Sequence, residues 1–117
     1  LKNHNLNEIA ESILSLGSDS LIIKQGEEGA TFFDKDTSFS INAYPVKKVM
    51  DTTGAGDTFA GGILSSKIAG KNMEDSMIAG ATMASFCIEN IAHEGIVKVS
   101  DSEYKLRKEW IQSSLTY

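Results

Sequence analysis

The 117-residue sequence holds one cysteine, one proline, 11 basic side chains against 16 acidic ones, and no long apolar run. Each shortage excludes something. A lone cysteine forms no internal disulfide, and Cys87 lies in an apolar segment with no histidine or second cysteine beside it. It therefore reads as a small buried hydrophobe in a chain suited to a reducing cytoplasm. A formal charge of −5, with no clustering of the basic residues, disfavours a nucleic-acid surface. The longest stretch without a charged residue, Ser76 to Ile88, has 13 residues, whereas crossing a bilayer takes about 20. No membrane partner is expected. No basic segment followed by an apolar one opens the chain, and Leu1 stands where a methionine would, so the beginning reads as a cut.

What is present describes one folded unit. Apolar residues make up 41% and charged residues 23% of the sequence, which suits a single domain with one core rather than a disordered chain. Leu6, Ile9, Ala10, Ile13 and Leu14 recur at helical spacing behind Asn5, with Glu8 as a capping partner and Gly17 as terminator. Leu21 to Ile23 is an unbroken apolar run, the pattern of a strand covered on both faces in a parallel sheet. Helix followed by strand implies α/β layering. Ala30 to Phe33 and Ser38 to Tyr44 read as strands of a small meander, and Pro45 to Met50 as one more extended piece.

Three further helices are expected. Ala60, Ile63, Leu64 and Ile68 would form the inner face of the first, closed by Gly70. The second, carrying Met77, Ala81, Ala84, Ile88 and Ile91, is apolar on its other sides too and should be buried nearly all round. The last starts at a Ser100/Glu103 capping box, with Tyr104, Leu106, Trp110, Ile111 and Leu115 facing inward.

The segment richest in chemical meaning is Asp51-Thr52-Thr53-Gly54-Ala55-Gly56-Asp57, which leads from an extended piece into a helix. Small residues there expose backbone N–H groups at the positive end of the helix dipole, where a phosphate can be held. One reading is a tight strand-to-helix turn with Asp57 as an early-helix carboxylate; the other is an anion-holding turn with an acid at its edge, as phosphoryl transfer to an alcohol requires. A dinucleotide fingerprint is rejected, because its third small position falls on Phe59 and Asp57 would oppose a pyrophosphate. The Gly-x-x-x-x-Gly-Lys-Ser/Thr phosphate loop is absent, and His93-Glu94 lacks the second histidine of a zinc protease helix.

The run from Asp51 through Thr58, Phe59 and Ala60 to Gly61-Gly62 resembles the second signature of ribokinase-like (phosphofructokinase B-type) carbohydrate and nucleoside kinases. Upstream, Lys24-Gln25-Gly26-Glu27-Glu28-Gly29 resembles that family's nucleotide loop at about the expected separation. Taken without the second motif, the loop reads more readily as a plain hairpin turn.

The resemblance implies a Rossmann-like three-layer α/β/α sandwich, of which residues 1–117 are the C-terminal nucleotide-binding and catalytic part. The N-terminal part, with its lid and acceptor-binding strands, would be absent, and the isolated piece inactive. It implies an ATP-dependent kinase acting with Mg²⁺ on a hydroxymethyl group of a sugar, the alternatives being a nucleoside kinase or a noncatalytic nucleotide-binding module. Asp57 would be the catalytic base, and Gly54, Ala55 and Gly56 the anion hole. Lys24, Gly26, Glu27 and Gly29 would run along the nucleotide, with Gly80 and Ala81 at the adenine pocket. Asp51 and Thr53, with Gly95 as a later contributor, match a site for K⁺; Asp51 reads equally as a brace of the loop. The lid is a frequent dimer contact in the family, so a homodimer is expected of the complete protein.

Overall fold

A computed structural model describes residues 5–47, 49, 52, 54–89 and 99–117. Helix α1 spans Leu6–Leu14, with the Asn5 side chain accepting from the Asn7 amide at 2.9 Å. Asn5 is thus the expected cap, though it satisfies the amide two places on rather than that of Glu8. Strands β1 (Ser20–Lys24), β2 (Ala30–Asp34) and β3 (Ser38–Ile41) form one sheet in the order β1-β2-β3.

Both pairings are antiparallel, Ile22 standing opposite Phe32 and Phe32 opposite Phe39. The meander is as expected. The parallel setting expected for Leu21–Ile23 is not: β1 pairs antiparallel with β2, and residues 21–23 are only half-buried. Gly26–Glu28 makes a single 3₁₀ turn between the two strands, too short for the crossover a parallel pair needs.

Alternation along the sheet then separates two faces. Ala30, Phe32, Phe39 and Ile41 point one way into the main core, where the Phe32 and Phe39 rings stack at 5.2 Å. Phe33 is buried on the other face, beside Ala10 and Leu14 of α1. On the core side lie α2 (Ala55–Ile68), α3 (Met73–Glu89) and α4 (Asp101–Ser113), contributing Phe59, Met77, Ile78 and Ile111. The result is the helix/sheet/helix layering of an α/β sandwich. Residues 114–117 close the outer edge of β3, Ser40 and Thr116 exchanging backbone bonds of 2.7 and 2.9 Å, which removes an edge open to aggregation. The Tyr117 hydroxyl donates to Glu74 at 2.6 Å, and this bond raises the phenol above its usual 10.0.

Two expected helix faces are corrected. On α2 the inner stripe is Phe59, Gly62, Ile63 and Ser66, while Leu64 and Ile68 are 63% and 79% exposed. Glycine decides this. A Cβ on Gly62 would lie 2.6 Å from the Gly80 Cα, and one on Gly80 would lie 2.5 Å from the Phe59 carbonyl oxygen. Backbone meets backbone where Gly62 faces Gly80, and this close approach sets which side of α2 turns to α3. Gly80→Ala should therefore cost about 1–3 kcal/mol by overpacking, read as a lower urea midpoint at unchanged slope; an unchanged midpoint would show that the seam yields.

On α4 the buried residues are Arg107 and Ile111, whereas Leu106 is 60% exposed and Trp110 lies near the surface. Ser100 caps this helix as expected, accepting from the Glu103 amide at 3.3 Å. Helix α3 is buried over most of its circumference, as expected, Cys87 included.

Candidate nucleotide site

The chain order places four segments, two of them glycine-bearing loops, around one cleft of about 810 Å³, within the range of small-molecule sites. Its walls come from the loop after β1 (Lys24, Gly26, Glu27, Gly29), the segment after β3 (Asn42–Val46), the start of α2 (Ala55, Gly56, Phe59) and one stripe of α3 (Ala81, Ala84, Ser85, Ile88).

The β1–β2 loop is held by its own backbone. Gln25 N–H donates to the Gly29 carbonyl at 2.8 Å, and Glu28 N–H to the Gln25 carbonyl at 3.1 Å. The Thr31 hydroxyl bonds both the Gln25 side chain (3.1 Å) and Ser40 (2.8 Å), tying the loop to β2 and β3. Gly29 has φ 108°, a conformation that side chains rarely tolerate.

At the opposite end, Gly54 caps α2 with φ 80°. The first helical bond runs from the Thr58 amide to the Gly54 carbonyl at 2.9 Å, so the amides of Ala55, Gly56 and Asp57 precede the ladder. The Ala55 amide is taken, donating to the Thr52 carbonyl at 3.2 Å. Among the described residues the amides of Gly54, Gly56 and Asp57 make no hydrogen bond within the chain.

The two segments converge at Lys24. A Cβ on Gly56 would lie 2.8 Å from the Lys24 Nζ, so the lysine head sits against the leading end of α2. The only ion pair among the described residues is Arg107–Glu89; Lys24 has no carboxylate partner there. Like charges meet at this point, the helix dipole presenting its positive end to a cation. That arrangement is unfavourable alone and favourable once an anion lies between them.

The structure thus brings Lys24, Gly26, Glu27, Gly29, Ala55, Gly56 and Ala81 to one cleft. Gly80 is placed elsewhere, in the α2–α3 seam against the Phe59 carbonyl, so the stripe lining the cleft starts at Ala81. Gly54 and Asp57 are exposed and do not line the cleft; Asp57 follows directly on Gly56 in the first turn of α2. The anion hole expected at Gly54, Ala55 and Gly56 loses the Ala55 amide to Thr52. Asp51, Thr53 and Gly95, along with Lys48, Met50 and Ile91, lie outside the described residues. Ala84 and Ile88 fall three and seven places after Ala81, a repeat that could have extended the wall from sequence. The Asn42–Val46 wall carries no such signal beyond Pro45.

No helix among the described residues is long and apolar enough to cross a membrane. Residues 2–94 match the pfkB family of carbohydrate kinases. The chain is 34% identical over 89 residues to a nucleoside kinase of Methanocaldococcus jannaschii, covering 76% of this chain and 28% of that one. It is 35% identical over 103 residues to a ribokinase of Lactococcus lactis, covering 87% and 34% respectively. A ribokinase structure from Thermotoga maritima superposes with a TM-score of 0.76 at 26% identity, over 91% of this chain and 35% of that one. The chain therefore spans about a third of the length of these relatives. With its cleft, its two glycine loops and its layered α/β fold, this chain belongs to the pfkB family of carbohydrate kinases.

Proposed function

We propose that the chain is the nucleotide-handling, C-terminal third of an ATP-dependent kinase that phosphorylates a hydroxymethyl group of a sugar, with the acceptor site built from residues outside these 117. The carrying observation is the approach of Lys24 Nζ to Gly56 at the start of α2, inside a cleft whose small and apolar walls also carry Glu27, Asn42 and Ser85. A triphosphate would supply the negative charge that this point lacks, and the base would lie toward Ala81 and Ala84. In the transfer step Asp57 takes the acceptor's hydroxyl proton, the oxygen bonds to the γ-phosphorus, and the bond to ADP breaks. Lys24 and the open amides of α2 then offset the charge of the moving group.

Mg²⁺ fits as an ion carried by the nucleotide. Such ions are held largely by phosphates and water, and no group of three His, Cys, Asp or Glu side chains gathers among the described residues. A monovalent cation held by Asp51, Thr53 and Gly95 belongs to the same proposal.

Calorimetry of the chain with ATP tests the binding half. Lys24→Gln should weaken binding about tenfold, or ~1.4 kcal/mol. Equal affinity in the variant would remove the lysine from the site. Acceptor-dependent ADP release by the complete protein, across ribose, other sugars and nucleosides, tests the transfer half and chooses between a sugar and a nucleoside acceptor; the two relatives above are named for one of each. A second reading, a module that binds nucleotide without transferring phosphate, draws on the committed Ala55 amide and the exposed Asp57. Binding with no acceptor-dependent release by the complete protein would favour it.

A further inference from the structure

Arg107 stands outside the cleft, yet it touches two of its walls. Its guanidinium is buried, with Nη1 donating to the Ser85 Oγ at 3.2 Å and Nη2 to the Glu89 Oε1 at 2.6 Å. Its carbon lies 3.9 Å from the Phe86 ring centre and 4.7 Å from that of Tyr44. Tyr44 belongs to the segment after β3 and Ser85 to α3, and both line the cleft. Tyr44 is steadied further by the Trp110 ring, edge-on at 5.4 Å.

We infer that Arg107 is a positioning residue for the flat, apolar part of the ligand: it sets the spacing and rigidity of the Tyr44 and α3 walls between which a nucleobase would insert. The inference rests on the nucleotide reading above and deepens it. Several observations converge. The Ser85 hydroxyl gives its proton to the Thr82 carbonyl at 2.6 Å and receives an Arg107 N–H, so the polar group facing the base region has a fixed orientation. A planar fork on two rings can bond Ser85 and Glu89 at once, which a lysine ammonium cannot do. The Glu89 pair joins the end of α3 to α4, so the wall is braced from behind rather than through the ligand.

The experiment separates base from phosphate. ATP, adenosine and inorganic tripolyphosphate are titrated into the wild-type chain, into Arg107→Lys, and into Arg107→Met combined with Glu89→Gln, which leaves no half-buried carboxylate unpaired. In both variants ATP and adenosine should bind about tenfold more weakly, ~1.4 kcal/mol, with tripolyphosphate binding unchanged. In the complete kinase KM for ATP should rise with kcat held. A lower melting temperature with unaltered affinities would overturn the inference and leave Arg107 a purely structural residue. Equal weakening for all three ligands would overturn it too, as general loosening. If the wild-type chain binds neither ATP nor adenosine, the nucleotide reading itself fails, an outcome distinct from the others.

Discussion

Asp57→Asn in the complete kinase should lower kcat by roughly 10²–10⁴-fold, the usual range for removing a general base, while ATP affinity is nearly unchanged. The two readings of this residue differ in what they expect. If Asp57 merely complements the dipole of α2, its loss costs about 0.3–1 kcal/mol of stability and leaves turnover intact. If it accepts the acceptor's proton, turnover collapses without a matching change in melting temperature. Its position suits the second role: it is exposed in the first turn, one residue beyond the Gly56 that meets Lys24, and no hydrogen bond or ion pair occupies it among the described residues. The asparagine keeps size and shape and removes only the capacity to take a proton. Single-turnover measurements with saturating acceptor decide it, and wild-type turnover in the variant would strip Asp57 of its assignment.

The order of elements could be read from the sequence because local rules govern it. Asn5 and Ser100 start helices through their own side chains, Gly17 and Gly70 follow helix ends with positive φ, and the two glycine motifs fall on the loops that face the cleft. What escaped reading depends on partners distant in sequence. The inner face of α2 is chosen by the Gly62–Gly80 contact, so Leu64 and Ile68, which apolar periodicity alone turns inward, are exposed. Arg107 enters the core because Glu89, eighteen positions earlier, and two aromatic rings receive it; nothing within α4 announces that. Gly80, which the family resemblance implies at the adenine pocket, lies instead in the seam between α2 and α3. The Ala55 amide shows the same limit, since its engagement by Thr52 depends on the path of a turn that composition does not specify.

Gly29→Ala should be among the most disruptive single-methyl changes in this chain. Its backbone, at φ 108° and ψ −144°, lies in a region that only glycine adopts readily. An added Cβ would also run into the Ile41 carbonyl oxygen and stand 2.9 Å from the Asn42 Cα, both parts of the backbone that leaves β3. Strain of about 1–3 kcal/mol and overpacking of similar size combine to about 2–6 kcal/mol, against a typical domain stability of about 5–15 kcal/mol. Gly17→Ala separates the two contributions. Gly17 has φ 113°, and nothing lies within 4 Å of its added Cβ, so that variant carries strain alone. Urea titrations should place Gly29→Ala well below Gly17→Ala, and ATP affinity should fall only in the former, because Gly29, Ile41 and Asn42 all line the cleft and relieving the clash displaces them and disturbs the Gly29 bonds to Gln25 and Gly26. Equal midpoints would mean that β3's exit gives way easily, and the cleft wall it forms would then be softer than the nucleotide reading requires.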